Sequence, residues 1–183
     1  MTSWTISGSL VVERALDRAD LVADPVAKAL AALPATHAAG VGVAPIDPEL
    51  ADTAAFCEAY GSPLDASANC VVVAGKRSGE ERFAACLVLA TTRADVNGVV
   101  RKRLDVRKAS FAPMDTAVEL TGMAYGGITP LGLPPEWPVL LDPAVAAAPE
   151  LVIGSGIRGS KILIPGPTLA ALPGAEVVEH LGR

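Results

Sequence analysis

The sequence predicts a mixed α/β fold in a single domain, with sheets that are mostly antiparallel or mixed. The chain has 183 residues, of which 51% are hydrophobic and 19% charged, and this suits one compact domain with a sizeable core. Short apolar runs typical of strands recur along the chain between glycine- and proline-containing turns. Strand and helix patterns do not alternate regularly, which argues against a doubly wound parallel sheet.

Residues 1–36 are interpreted as an N-terminal extension packed on a domain formed by residues 37–183. The stretch SWTISGSLVV, residues 3–12, predicts a short strand at the start of this extension. In DPVAKALAAL, Asp24 can cap a helix and Pro25 can occupy its first turn. The extension is therefore expected to contribute one strand and one helix.

The first half of the domain contains a strand, a helix and a hairpin in succession. GVGVAPI predicts a strand that begins at Gly40, and DTAAFCEAYG predicts a helix from Asp52 to a C-terminal Gly61. The runs NCVVVAG and RFAACLVLA are separated by a segment that contains Ser78-Gly79, a typical turn dipeptide. These two runs are expected to form an antiparallel pair.

The second half predicts further short elements. Helices are expected around Asn97–Leu104 and Asp115–Thr121, with a short strand near Lys108–Phe111 between them. Strands are then expected in PVLLD, ELVIGSG and KILIP, the first two joined by a short connection. A final helix that includes AEVVE is expected to close the chain.

Composition excludes several classes of protein. No stretch approaches the roughly 20 apolar residues of a membrane span, and the first ten residues lack the pattern of a signal peptide, so a cytoplasmic protein is expected. The three cysteines, Cys57, Cys70 and Cys86, lie in apolar stretches and indicate core packing in a reducing compartment. The two histidines, His37 and His180, are far apart in sequence, so neither a metal site nor a Ser/His/Asp triad is expected.

A basic segment, residues 93–108, interrupts a chain whose net charge is -5. The overall charge argues against indiscriminate coating of nucleic acid, since such binding depends on many phosphate contacts. This segment is either a solvated face or a patch that contacts phosphates. Its candidate phosphate ligands are Arg101, Lys102, Arg103, Arg107 and Lys108.

The segment GMAYGGITPLG, residues 122–132, concentrates glycine in one loop. Tyr125, Ile128 and Leu131 are large enough to anchor this loop from inside. Such a loop can bring bare backbone N–H and C=O groups close to a ligand. The alternative is a helix C-cap at Gly122 followed by a structural turn.

From about Asp47 to Glu179 the order of these pieces resembles the YbaK/ProX family of aminoacyl-tRNA deacylases, which also occurs as the editing insertion of bacterial prolyl-tRNA synthetases. Thr121-Gly122 with the later GGITPLG resembles the family's TG…GGISPxG signature. GSGIRG, residues 154–159, is similar to its SGGKRG-like loop, and Asp142 ends the preceding strand. The resemblance implies one domain with a strongly curved mixed sheet surrounded by helices.

The resemblance also implies an activity, namely hydrolysis in trans of the ester that joins a wrong amino acid to the end of a tRNA. Backbone groups of Gly126 and Gly127 would hold the ester while a water or the ribose hydroxyl attacks. Neither metal nor organic cofactor is expected, and the expected partners are mischarged tRNA and, as a further candidate, an aminoacyl-tRNA synthetase. The expected substrate-binding residues of the two loops are Ile128, Thr129, Pro130, Gly154, Ser155, Gly156 and Arg158.

The chain departs from the family pattern at two positions. Asn69 and Cys70 stand where relatives usually carry lysine followed by threonine or serine, and Lys161 stands where an aspartate is usual. We hypothesise that the ammonium has moved to the opposite wall of the pocket, with Lys161 catalytic and Asn69 its polar partner. Alternatives are that Lys161 is a plain surface lysine, that the chain binds an aminoacyl-adenosine end without hydrolysing it, or that it only docks on a synthetase.

Overall fold

The computed structural model describes residues 3–183, and within that range the chain forms nine strands and seven α-helices. The strands are β1 (Glu13–Arg14), β2 (Gly42–Pro45), β3 (Ala68–Arg77), β4 (Glu80–Leu89), β5 (Ala109–Phe111), β6 (Val139–Leu141), β7 (Leu151–Gly154), β8 (Ser160–Ile164) and β9 (Ala175–Val177). The α-helices are α1 (Asp24–Ala32), α2 (Ala35–Ala38), α3 (Thr53–Tyr60), α4 (Arg101–Leu104), α5 (Met114–Thr121), α6 (Pro143–Ala147) and α7 (Gly166–Ala170).

The strands form two sheets that adjoin where β3 begins beside β7. The first sheet has the order β1-β2-β8-β7 and is antiparallel throughout. The second has the order β5-β3-β4-β6-β9, antiparallel from β5 to β4 and parallel from β4 to β9. A bridge between Ser67 and Val152 joins the start of β3 to β7. The predicted mixed α/β fold with antiparallel and mixed sheets is therefore confirmed.

The β3–β4 hairpin forms where the sequence predicts it. Arg77 pairs with Glu80, and the two residues between them, Ser78 and Gly79, both have positive φ, at 52° and 85°. Two-residue turns of this kind match the right-handed twist of the strands that they join. The hairpin extends over ten residues on each side and forms the centre of the second sheet.

The core is apolar on both sides of this hairpin. One cluster includes Val26 and Leu30 of α1 with Ile162 of β8. Another includes Val73 of β3 and Cys86 of β4. Burial of each such side chain contributes about 1.5–3 kcal/mol. Cys86 is fully buried in this cluster and is a packing residue, and burial raises the pKa of its thiol to about 12.

Residues 3–36 pack against the rest of the chain and share its core. The Ala23 N–H donates to the carbonyl of Ser155 at 3.1 Å, and β1 pairs with β2. The predicted strand over residues 3–12 is wrong, because the chain turns at Gly8 (φ 55°) and Ser9 bonds to Tyr60 at the end of α3. The strand of this region begins only at β1.

Three further expectations need correction. Ala23, not Asp24, is the N-cap of α1, and Asp24 is the first helical residue, where its charge still favours the helix dipole. The connection between PVLLD and ELVIGSG contains α6, whose first turn is capped by Asp142. AEVVE is not helical: the last helix is α7, and after a positive-φ turn at Gly174 (φ 75°) the chain pairs with β6 as β9.

The predicted helix around Asn97–Leu104 begins as a π-helical turn, Val96–Val100, and continues as α4. The carboxylate of Asp95 accepts from the N–H groups of Gly98 and Val99 and so caps this start. Among residues 3–183, no helix is long and apolar enough to cross a bilayer.

Candidate functional site

A cavity of about 500 Å³ lies where the two sheets meet, and we call it the sheet-junction cavity. Its walls come from the start of α3, from β3, from β7 and β8, from the β5–α5 region and from the glycine loop at residues 122–132. The residues that line it are Ala51, Asp52, Thr53, Phe56, Ser67, Ala68, Asn69, Cys70, Val71, Val72, Phe111, Ala112, Met114, Ala117, Tyr125, Gly126, Ile128, Val152, Ile153, Gly154 and Lys161.

Lys161 is a buried cation in this cavity. Lys161 is 7% exposed. Its Nζ donates to the carbonyl oxygen of Ala51 at 2.7 Å and lies 5.2 Å from the centre of the Phe56 ring. Burial lowers the pKa of Lys161. Because an ammonium carries three N–H donors, two remain for a ligand. The interpretation of Lys161 as a plain surface lysine is therefore wrong.

Asn69 lines the same cavity from β3. Its Oδ1 accepts from the hydroxyl of Thr53 at 2.9 Å, which leaves its amide Nδ2 as a donor. Asn69 bonds to Thr53, the first residue of α3, and Lys161 bonds to Ala51, two residues before that helix. One short segment thus contacts both side chains, and both line the cavity that the relocated-lysine hypothesis invokes. The catalytic role of the pair stays a prediction.

The two glycine loops are bound to each other through their backbones. The Gly127 N–H donates to Ala124 at 2.9 Å, and the Gly127 carbonyl accepts from Gly156 at 2.7 Å. A β-carbon on Gly127 would lie 2.6 Å from the carbonyl oxygen of Ile157. Gly127 is therefore required for loop packing, and its N–H is already bonded. This corrects the expectation that Gly127 exposes backbone groups to a substrate.

Gly126 is the glycine of this loop that exposes its backbone to the cavity. It is exposed, has a φ of 82°, and its N–H has no protein acceptor within residues 3–183. A β-carbon here would lie 2.5 Å from Nη1 of Arg158. The guanidinium of Arg158 lies 4.0 Å from the carboxylate of Asp52. These two charged groups therefore border the cavity beside Gly126.

Several predicted substrate-binding residues do not line the cavity. Thr129, Pro130, Ser155 and Gly156 are buried. The Ser155 hydroxyl bonds to Ser160, whose own hydroxyl bonds to the carbonyl of Leu21. Ser155 and Gly156 thus hold the two glycine loops in place through their hydrogen bonds. Of the predicted substrate-binding residues, the structure brings Asn69, Ile128 and Gly154 into the cavity, and Arg158 lies at its border.

The basic segment lies outside the cavity lining. Arg103 is paired with Glu176 of β9, with Nε 2.7 Å from Oε2, and this hydrogen bond raises the pKa of Arg103. Arg101 donates from Nε to a backbone carbonyl of its own helical region. Lys102, Arg107 and Lys108 are exposed. Lys108 directly precedes β5, whose last residue lines the cavity.

Some cavity residues were missed by sequence reasoning. Thr53 and Ala51 lie in an ordinary helix start, where nothing in the pattern marks them as site residues. Tyr125 was expected to anchor the glycine loop from inside, but it is 60% exposed, whereas Leu131 is fully buried. For Phe111 the sequence predicts only a place in a short strand. The sequence signal that could have found Tyr125 is its position between two small residues, Ala124 and Gly126.

The cavity offers hydrogen-bond donors rather than metal ligands or an imidazole. Within residues 3–183, no group of three His, Cys, Asp or Glu side chains could hold a metal ion. His37 lies elsewhere, with Nδ1 3.2 Å from the hydroxyl of Thr168. Lys161, Asn69 and Gly126 all line this cavity, and each carries a donor of the kind that stabilises negative charge on an oxygen. The site is thus suited to a reaction that develops an oxyanion.

Comparison with known proteins identifies related sequences and folds. A family model described as an aminoacyl-tRNA editing domain matches residues 47–172. A crystal structure described as that of a candidate trans-editing enzyme for prolyl tRNA synthetase has a TM-score of 0.70 and 22% identity, covering 86% of this chain and 97% of its own. The structure of hypothetical protein APE2540 has a TM-score of 0.64 and 19% identity, covering 76% and 86%. A scaffold protein used for computational grafting of linear epitopes has a TM-score of 0.69 and 20% identity, covering 88% and 99%.

Proposed function

This chain belongs to the aminoacyl-tRNA editing domain family, and we propose that it is a freestanding deacylase that hydrolyses the ester of mischarged tRNA in trans. The family and the fold support an editing role. A cytoplasmic site of action follows from the proposal, since charged tRNA is used there. The observation that carries the proposal is that Lys161, Asn69 and Gly126 line one cavity with donors that the protein leaves free.

The three donors act on the carbonyl oxygen of the ester. As a nucleophile attacks, that oxygen gains negative charge, and preorganised donors at about 2.7–3.1 Å stabilise it. Lys161 supplies a charged N–H, which makes the strongest of these hydrogen bonds. Asn69 and the Gly126 N–H supply neutral donors from two other elements. Their positions are set by the α3 start and by the packed glycine loops.

The nucleophile is a water or the neighbouring ribose hydroxyl. An aminoacyl ester is an activated ester, so correct placement of the attacking oxygen and stabilisation of the oxyanion account for much of the rate. Asp52 supplies the carboxylate of the cavity lining, and in this proposal it would orient the water. Val72, Ala117 and Ile128 form an apolar part of the cavity wall, so we expect the cavity to select amino acids by size rather than by polar contacts.

The acceptor end of the tRNA reaches the cavity past the basic segment. Lys102, Arg107 and Lys108 are exposed and carry no ion pair within residues 3–183, so they are the candidates for phosphate contact. Arg103 forms an ion pair with Glu176, so it contributes less to phosphate binding than the three exposed residues. Phosphate contacts position the substrate, and the cavity selects the acyl group.

The proposal is tested with a panel of tRNAs that carry alanyl, cysteinyl, seryl or threonyl esters. Released amino acid is measured with the parent protein and with Lys161→Ala. We expect the parent to cleave at least one ester faster than buffer does. Lys161→Ala should release amino acid from that ester at no more than the rate in buffer. Binding of the panel without release from any member would overturn hydrolysis in favour of a binding module.

A further inference from the structure

The exposed aromatic residues of this protein are confined to one place. The chain has seven aromatic residues, and five of them are buried or half-buried. The other two, Phe111 and Tyr125, are 62% and 60% exposed, and both line the sheet-junction cavity. Met114, 51% exposed, lines it as well. Large apolar side chains left in water beside a cavity indicate a ligand surface.

The two aromatic residues stand on fixed backbone. Phe111 ends β5, which pairs with β3 through Val73. Tyr125 lies in the turn closed by the hydrogen bond from Gly127 to Ala124. A surface that is already ordered loses little conformational entropy when a flat ligand binds to it.

We propose that Phe111 and Tyr125, supported by Met114, form a stacking platform for the terminal base of the tRNA. The inference rests on the proposed deacylase function. The inference follows from how deep each residue lies in the cavity. Lys161 is 7% exposed and lies at the inner end, whereas the two aromatic side chains are exposed and lie at the mouth. When the ester is bound at Lys161, the ribose lies between the ester and the mouth of the cavity. The base, one sugar ring further out, then lies at the mouth.

The charges near the platform suit a nucleotide. Arg107 and Lys108 precede Phe111 on the chain, and Arg158 lies against Gly126, the neighbour of Tyr125. The acidic groups nearby are Asp52, which faces Arg158 at 4.0 Å, and Asp115, which follows Met114 on α5. Every base has a flat π-face, so aromatic stacking accepts it without reading its sequence. An unpaired terminal base therefore fits this surface better than an apolar peptide does.

The test compares a substrate that has a base with one that lacks it. Alanyl-adenosine and alanine methyl ester are offered to the parent, to Phe111→Leu and to Tyr125→Leu, which keep apolar bulk and lose the ring. We expect KM for alanyl-adenosine to rise about 5- to 100-fold in each variant, with hydrolysis of the methyl ester unchanged. Tyr125→Phe keeps the ring and should retain the parent KM. Leu120→Ala, an exposed residue of α5 outside the cavity, is the matched control.

Equal losses on both esters, or no loss on either, would overturn the platform. A second measurement separates this outcome from failure of the deacylase proposal. The 3'-amide analogue of alanyl-adenosine, which does not hydrolyse, is titrated calorimetrically beside alanine methylamide, which has no base. If the parent shows no turnover, tighter binding of the adenosine amide, lost in Phe111→Leu, would still support the platform. Equal affinity for the two amides would refute it.

Discussion

Replacement of Lys161 by methionine removes one functional group and little else. Methionine has a similar length and an apolar stem, so it fills the buried space beside Phe56. It removes the charged donor and the hydrogen bond of 2.7 Å to the Ala51 carbonyl. Any change in turnover that exceeds the change in stability then reports the chemistry of the ammonium.

The magnitude follows from the donor's proposed role. Loss of one oxyanion donor lowers kcat by about 100- to 1,000-fold, or about 2.7–4 kcal/mol. Stability changes less, because two effects oppose each other. The lost hydrogen bond from a charged donor costs about 1.5–3 kcal/mol, and removal of a desolvated ammonium offsets part of it. We expect the free energy of unfolding to change by less than about 2 kcal/mol.

The pH dependence has a fixed sign. Burial lowers the pKa of Lys161 in the folded state below 10.5, its ordinary value in the unfolded chain. Between the lowered pKa and 10.5, the unfolded chain therefore binds more protons than the folded one. The parent should therefore gain stability as pH rises from the lowered pKa toward 10.5, and Lys161→Met should lack that gain. Deacylation by the parent should decline over the same rise, as the ammonium is lost.

The assay measures release of amino acid from mischarged tRNA, with thermal melts of each variant. Lys76→Met is the control, since Lys76 is 70% exposed in the hairpin and lies 3.6 Å from Glu81. We expect the control to match the parent. A folded Lys161→Met protein with parental kcat would refute the role given to the ammonium.

Three other changes test separate parts of the account. Gly127→Ala should lower stability by about 1–3 kcal/mol, because the new β-carbon meets the facing loop at 2.6 Å, and a parental melting temperature would contradict this. Replacing Arg107 and Lys108 with glutamine should weaken tRNA binding and reduce its salt slope by about one for each phosphate that is no longer bound, while cleavage of a minimal ester persists. Equal loss on both substrates would indicate damaged packing instead. Asn69→Lys combined with Lys161→Asp should recover more activity than the two single changes predict. A merely additive result would show that the two positions act independently and do not share one site.

Local signals in the sequence predict the elements that depend on local chemistry. Gly61 and Gly122 end α3 and α5 in the left-handed conformation, at φ of 70° and 66°, as the glycine pattern indicates. Ser78 and Gly79 turn the hairpin for the same reason. In each case a few adjacent residues decide the outcome, so the sequence alone is sufficient.

Distant partners decide the features that the sequence did not predict. AEVVE becomes β9 because β6, some way back along the chain, offers an open sheet edge. The Gly127 N–H donates to the carbonyl of Ala124, and the Gly127 carbonyl accepts from the N–H of Gly156, so both backbone groups of Gly127 are already bonded. Asn69 and Lys161 are the intermediate case. Their departures from the family pattern marked them, but only the fold brings both of them against residues 51–53, just before and at the start of α3.

Single-turnover deacylation tests the central claim most directly. Excess protein is mixed with tRNA that carries the ester selected from the panel, and released amino acid is followed in time with and without the non-hydrolysable 3'-amide analogue. We expect release well above the rate in buffer, inhibition by the analogue, and loss of release in Lys161→Met. Decay at the buffer rate, although the analogue binds, would contradict the proposed hydrolysis and leave a protein that binds the aminoacyl end without cleaving it.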